Sequence, residues 1–580
     1  MQAFSCITHL TIYLRSYDLL KYDLVISSQQ YNNLLIFTGL CLHSQHGIKY
    51  LIDSFYISNF VNGMVEKDLV LAIDVGTTNC RAAIINKEGC ILKIAFEPIE
   101  LLSPKEGWFE ICPHKLWSDI SKLILKVTKD FYERILTCGI TVQRNTFITW
   151  RRDTGEYLHN FITWMDMRSS KLCSQWNNSY FINIGRWAAW MLGSVVRSRH
   201  MICASTFTVR EKAIPMRLKW VMDNIKDAKL HYKNTNMCFG TIDSWLIWKL
   251  TKGRTWATDY SCASSTGIFD IWKSEWCKIM TYLFSCPIDI LPEVRDSDSY
   301  YGDIDISLGF GFSAPINGVI GDQQASIFGN TLFNVGDMKL TLGTGIACNI
   351  NTGKKTHPTS HDIYPLVGWK LVGSQPFYVA ELLAASGGRA TDWAVTSGLL
   401  EDISSIDSVA RSVPTMSGLS FLPAFNGMDV PFKEPFAGTS LFGITLETKT
   451  SNIIRAILES QVFISNYVLL KIFERYGKPS NITIDGGSSQ SAFITENIAQ
   501  LSKVNIKRSE CIQGSLMGAS FMAGLGSGLY KSLDDIKLSV NLVTTDFMYC
   551  ENHCNDHMEG NYFQWIMNAK KCVDWAMRLS

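Results

Sequence analysis

No run of the chain reaches the roughly 18 consecutive apolar residues that a membrane-spanning helix needs; the nearest, "LLIFTGLCL" at 34–42, falls far short. Charge of either sign is not in excess. There are 54 Lys and Arg against 53 Asp and Glu, a net charge of +1, which gives no reason to expect a nucleic-acid or polyanion partner. The 17 cysteines form no even, repeating framework, and a chain of this size has no need of disulfide staples. They read as reduced thiols of a cytoplasmic protein. The N-terminus lacks the basic segment, apolar stretch and small-residue cleavage site of a signal peptide, and has few of the arginines of a mitochondrial transit sequence. What is present is an ordinary globular composition, 47% apolar and 18% charged. At 580 residues the chain is too long for one core, so two large domains are expected.

Residues 1–63 have neither clean periodicity nor low complexity, and the patterned sequence begins at "MVEKDLVLAIDVGTT", where Met64 could be a natural start. Residues 1–65 are therefore set apart as an N-terminal extension, either dispensable or the product of a misplaced upstream start. From there the pattern predicts strands at 69–74, 80–86 and 90–97, a helix over 113–132 and a short strand before Thr141. That order suggests a mixed sheet with helices packed on it. Segment 177–210 is irregular, aromatic and basic, either a solvated insertion or an amphipathic surface element. Helices are expected at 214–228, 241–251, 388–399, 451–476, 490–502 and 515–525, with a strand at 481–485. The two halves echo each other, at 71–85 and 338–350, as apolar strand, Gly-Thr turn and apolar strand.

The first of these turns lies in "LVLAIDVGTTNCRAAIINKEG" (69–89). Asp74 ends a strand, and Gly76 permits a turn that side chains would block. Thr77 and Thr78 offer amide and hydroxyl donors to an anion. Arg81 can neutralise phosphate, and Asp74 can hold Mg²⁺ directly or through water. A plain hairpin with a polar turn would explain this stretch equally well if it stood alone. "TLGTGIA" (341–347) and "IDGGSSQSAF" (484–493) give two more strand-to-glycine turns, and three together suit a nucleotide clamped in a cleft between two domains.

Long collinear blocks then carry a resemblance: "ITVQRNTFITW" (140–150), "FGTIDSWLIWKLTKGRTWATDYSCASSTGIFDI" (239–271), "GDQQASIFGN" (321–330), "LTLGTG" (340–345) and "SLFGITLETKTSNIIRAILES" (440–460). The sequence resembles the FGGY carbohydrate kinases of the actin-like ATPase superfamily, most closely the glycerol kinases and a divergent branch among them. The resemblance implies an α/β fold of two ribonuclease H-like domains, 66–332 and 333–545, with the nucleotide and substrate in the cleft between them and a tail at 546–580. It implies ATP and Mg²⁺, a small polyol acceptor such as glycerol, and phosphoryl transfer with Asp322 as base and Asp74 on the metal. Gly76, Thr77, Thr78, Arg81, Gly343, Thr344, Gly345, Gly388 and Gly487 fall where the family contacts ATP. Arg144, Asn145, Trp164, Asp322 and Gln323 fall in the substrate pocket, with Trp164 as a flat wall under the carbon chain. Without the blocks, Asp322 would read as a helix N-cap and Trp164 as core.

Departures from the family cluster in that pocket. Glycerol kinases usually have Glu where this chain has Asn145. A hydrogen bond to a charged group is worth about 1.5–3 kcal/mol against about 0.5–1.5 for a neutral one, so glycerol binding is expected to weaken about tenfold. Ala347 replaces an aromatic wall, Ser491 replaces an Asn near the adenine, and the pocket tyrosine has no counterpart near "REKAIPMRLKW" (210–220). Alternative readings are a kinase of another polyol or sugar, or a catalytically weak nucleotide-binding regulator; a homo-oligomer stays open. Separately, Cys550, His553, Cys554 and His557 would share one face if helical, a spacing able to bind Zn²⁺, although structural zinc sites normally use two separated ligand pairs.

Overall fold

The computed structural model describes residues 66–580 apart from 206–207, 210, 212, 285, 360–361, 385–387, 415–417, 426, 435, 552–555 and 580, and the backbone of three strands before residue 66. The chain divides into a unit up to Glu66 and a unit from Lys67 to Ser580. In the first, strands Asp23–Tyr31, Leu34–His43 and Lys49–Ile52 form an antiparallel sheet. Met64 lies outside the described residues.

In the second unit, strand Leu69–Val75 is buried along its whole length, as expected of an aliphatic run with covered faces on both sides. It occupies the middle of a five-stranded sheet in the order 316–321, 135–142, 69–75, 79–85, 91–98. The first three strands run parallel, and 69–75 with 79–85 is an antiparallel hairpin. A seven-stranded sheet repeats the plan. There the hairpin 338–342/346–353 is flanked by the parallel strands 481–485 and 505–509 on one side and by 377–384 and 364–369 on the other, with 544–547 closing the far edge. The echo between 71–85 and 338–350 is thus two equivalent hairpins, each the centre of its sheet.

Helix Gly514–Gly526 comes late in the chain yet packs on the first sheet. A β-carbon at Gly518 would overlap the carbonyl oxygen of Ala325, and one at Gly139 or Gly318 would overlap the backbone of Ala519 or Ala523. Glycine is required on both sides for the backbones to approach this closely. Ala72, Ile320, Phe328, Leu516 and Phe521 fill the same junction. Gly518→Ala is expected to destabilise the protein by about 3 kcal/mol through overpacking, read as a lower urea midpoint at unchanged m-value.

Two elements differ from the sequence reading, and a third takes one of the two forms expected of it. Helix 214–228 is broken at Ile225, whose backbone is extended, into Ile214–Asn224 and Lys226–Lys233. Segment 177–210 is the amphipathic alternative, with helices Tyr180–Val196 and Arg199–Ser205. The expected tail 546–580 holds helix Asp556–Leu579, which is not peripheral: Trp565, Ala569 and Cys572 are buried in the core of the second sheet, and the Trp565 indole N–H donates to the Phe421 carbonyl at 2.9 Å. Cys550 precedes this helix and His557 lies in its first turn, while His553 and Cys554, the other two residues of the expected ligand set, lie outside the described residues. Among the described residues only Thr450–Tyr476 is long and apolar enough to cross a membrane, and most of it is buried inside the fold.

Candidate functional site

The first hairpin sets Asp74 directly opposite Arg81, and the guanidinium reaches the carboxylate at 3.4 Å. Ser515, at the start of the junction helix, donates to the same oxygen, Oδ2, at 2.7 Å. The other oxygen, Oδ1, is buried and has no partner. Burial pushes the Asp74 carboxyl up to about 6; Arg81 and Ser515 pull the other way, and the charge of Asp322 adds to the rise. An unsatisfied carboxylate oxygen in a water-poor site fits a hard cation or a water bound to one.

The two Gly-Thr turns meet tip to tip. Thr78 and Thr344 bring their hydroxyls to 3.5 Å although 266 residues separate them. The amide of Gly76 closes its turn on the Asn79 carbonyl at 3.0 Å, and that of Gly343 closes on Gly345 at 3.0 Å. Gly388 donates to the Gly343 carbonyl at 3.0 Å, and a β-carbon there would overlap that oxygen and press on Ser488. Gly487 follows Gly486, whose φ of +92° and close approach to the Leu342 backbone admit only glycine. The predicted Gly76, Thr77, Thr78, Arg81, Gly343, Thr344, Gly345, Gly388 and Gly487 therefore line one region.

Gly321 is the N-cap of helix Asp322–Gly329, and Asp322 is its first residue. Its Oδ1 accepts the Gln323 amide at 2.7 Å and lies 3.4 Å from Arg144 Nε. Removal from water pushes its carboxyl above the usual carboxylate range, and Arg144 opposes that push. Arg144 also donates from Nη2 to both oxygens of Glu381 at 2.9 Å. The Glu381 side chain is wholly buried. Burial pushes its carboxyl up, but Arg144, the Tyr364 hydroxyl and the Asn349 amide outweigh it and hold the group ionised, below the usual range.

The sheet register explains this convergence. Tyr364 stands opposite Glu381, Glu381 opposite Asn349, and Asn349 opposite Lys339. Paired residues share a face, so these four make one polar row across four strands. Lys339, fully buried, lies 3.4 Å from the Gln323 side-chain carbonyl and 3.5 Å from Asp485. Asp485 also accepts from Thr341 at 2.7 Å, from Ser326 and from Asn330. Ala347 belongs to the same face, two residues before Asn349.

Trp164 donates its indole N–H to the Thr77 hydroxyl at 3.2 Å, tying the expected pocket wall to the first Gly-Thr turn. Gln143, buried beside it, holds the Gly76 carbonyl at 2.9 Å. Asn145 has a φ of +62° and a buried side-chain oxygen without a partner; Asn tolerates that left-handed backbone better than most residues. Ser491 is an N-cap whose hydroxyl is committed to Asp407 and Ile494, not a group turned to a ligand. Gln143, Lys339, Glu381, Asp485 and Ser515 went unremarked in the sequence as site residues. A usable signal existed for Glu381, a lone acid in the apolar strand "FYVAELLA", and for Lys339 in "MKLTL".

These features can be set beside known proteins. Residues 69–329 match the N-terminal domain, and 338–527 the C-terminal domain, of the FGGY family of carbohydrate kinases. The chain belongs to this family. It is a phosphotransferase acting on an alcohol group of a sugar or polyol, with the two-domain fold of the actin-like ATPases, and the family implies ATP as the donor. It is 34% identical to human glycerol kinase 5 over 514 residues, which cover 87% of this chain and 96% of that protein. It is 33% identical to glycerol kinase 2 of Sulfolobus acidocaldarius, over 88% of this chain and 99% of that one. The crystal structure of Plasmodium falciparum glycerol kinase with ADP superposes with a TM-score of 0.75 at 25% identity, over 88% of this chain and 99% of that one.

Proposed function

We propose that the protein phosphorylates glycerol, giving sn-glycerol 3-phosphate, with Asp322 as the base. The observation that supports this best is the line from the two opposed Gly-Thr turns through Asp74 to Asp322 and Arg144, an order suited to phosphates at one end and a hydroxyl compound at the other. In this reading the amides and hydroxyls of 76–78 and 343–345 cradle the phosphates of ATP, with Arg81 neutralising charge, and Gly388 and Gly487 give the rest of the nucleotide room. Arg144 and the unpartnered oxygen of Asn145 hold the polyol over Trp164, with the Gln323 amide beside it. The hydroxyl oxygen attacks the γ-phosphorus, Asp322 accepts its proton, and ADP leaves. Mg²⁺ held at Asp74 would supply charge neutralisation on the phosphates. The 66–332 and 333–545 division assigns Asp322 to the first domain and the second turn to the other. A cytoplasmic location is part of this reading, supported by the described cysteines, all of them free thiols.

ATP consumption coupled to product detection, with glycerol and a panel of polyols and sugars, tests it. Glycerol-dependent turnover is the expected result. A better alcohol than glycerol would reassign Asn145 and Ala347 as specificity changes. Bound ATP without turnover on any alcohol would overturn the proposal in favour of a regulatory relative.

The metal assignment has its own test. An Asp74 carboxyl raised to about 6 favours its protonated form in the fold, so ionisation destabilises the metal-free protein as pH rises from about 4 through 6. Without Mg²⁺, Asp74→Asn is expected to be about 2–3 kcal/mol more stable than the parent at pH 7.5, about half that near pH 5, and indistinguishable from it only below about pH 4. Added Mg²⁺ should raise the melting temperature of the parent alone. Equal stabilisation of both proteins would move the metal elsewhere.

A further inference from the structure

We propose that helix Tyr180–Val196 is a membrane-surface element with which the protein docks on a leaflet rich in anionic lipid. At 100° per residue, Ile182, Ala189 and Gly193 form a narrow buried stripe along this helix. Gly193 lets it close on the backbone of Ile202 in the next helix, where a β-carbon would lie 3.0 Å from the Ile202 nitrogen. The helix has thus already used its packing face. On the opposite side Tyr180, Ile184, Trp187, Met191 and Val195 recur at i, i+4, i+7, i+11 and i+15, with Trp190 at the edge. These side chains face solvent: Tyr180 is 88% exposed, Trp187 59% and Val195 82%. An apolar face of this breadth is not surface noise, because monomeric proteins rarely expose contiguous patches of such size without a partner.

Charge decides which partner. Between Met167 and Arg210 the chain has not one Asp or Glu, while Lys171, Arg186, Arg197, Arg199 and Arg210 all carry positive charge. Lys171 and Arg197 are exposed, and Arg197 ends the helix in a left-handed turn. Arg186 lies toward the packing stripe, where Asn177 and Asn183 hold it, but the exposed Lys171 and Arg197 would meet their own counterparts if a second copy of this segment docked on the first. An anionic leaflet satisfies both features at once: tryptophan and tyrosine settle at the headgroup level, and the exposed Lys171 and Arg197 meet lipid phosphates. The helix lies on the bilayer and does not span it. Its 17 residues extend about 25 Å, less than the roughly 30 Å hydrocarbon core.

Flotation of the full-length protein with vesicles tests the assignment. Vesicles of equimolar phosphatidylcholine and phosphatidylserine are expected to bind it at least tenfold more tightly than phosphatidylcholine alone, with affinity falling as salt rises. Trp187→Ser with Met191→Ser should weaken that binding at least tenfold at an unchanged melting temperature, since both side chains are exposed. Arg197→Gln should weaken it about fivefold, one surface charge being worth about 1 kcal/mol. Failure of the parent to float with anionic vesicles at low salt, or undiminished flotation of the double variant, overturns the proposal. So does a dimer or a protein complex that the double variant dissolves while vesicles do not compete for it.

Discussion

Asp322→Asn is expected to lower kcat about 10³-fold while ATP binding, measured by calorimetry, changes less than about twofold, well under 1 kcal/mol. Asparagine has the same shape and cannot accept a proton. It still accepts the Gln323 amide, so the start of helix Asp322–Gly329 is kept. Arg144 retains Glu381 as counter-charge, so the substitution leaves no buried cation unpaired. The raised carboxyl of Asp322 makes it a stronger base than an exposed aspartate, and the rate should fall as acid protonates it. If Asp322→Asn turned over at a third of the parental rate, the proton would have to leave by another route and the assignment of the base would fail.

Glu381→Gln is expected to have the second largest effect. The carboxylate accepts two bonds from Arg144 and one each from Asn349 and Tyr364. Removing its charge leaves a buried guanidinium with Asp322 as its main counter-ion, which should destabilise the fold by about 3 kcal/mol. The chemistry should respond in a way that simple unfolding does not. The charge of Glu381 raises the Asp322 carboxyl and that of Arg144 lowers it. Without Glu381 the guanidinium acts on Asp322 undivided, so the acid limb of kcat/KM moves to lower pH and the base weakens. KM for the polyol should rise as well, because Arg144 loses the contacts from Nη2 to Glu381 that anchor that end of its guanidinium. A variant that is merely less stable, with an unmoved pH profile, would reduce Glu381 to a structural residue.

The strand-to-glycine turns were legible because each is local: an apolar run, a residue that must bend sharply, another apolar run. Asp74 and Arg81 came with them, being opposite each other in one hairpin. Asp322 and Arg144 were reached only through the resemblance of whole blocks, since nothing nearby in the chain distinguishes Asp322 from a cap. Glu381, Lys339 and Asn349 were not legible as a group. Lys339 and Asn349 share one hairpin, but the row exists only once the two later strands bring Glu381 and Tyr364 into register with it. The same reason hid Ser515, which reaches Asp74 across 441 positions. Helix Asp556–Leu579 was missed as part of the core because its contacts, such as Trp565 to Phe421 and Asn568 to Ser420, run to segments far back in the chain. For segment 177–210 an amphipathic surface element was legible as one of two readings, but that the apolar arc of helix Tyr180–Val196 faces outward shows only in the structure.

The glycine-lined seat of helix Gly514–Gly526 also bears on how the chain is made. The sheet holding Asp74 is synthesised early, but the face formed by Ala72, Gly139, Gly318 and Ile320 is closed by residues that emerge near the end. A nascent chain halted before residue 514 therefore presents an uncovered apolar sheet, a substrate for chaperones and proteases, and it should be cut far faster than one released at full length. Maturation of the first half waits on the last part of translation.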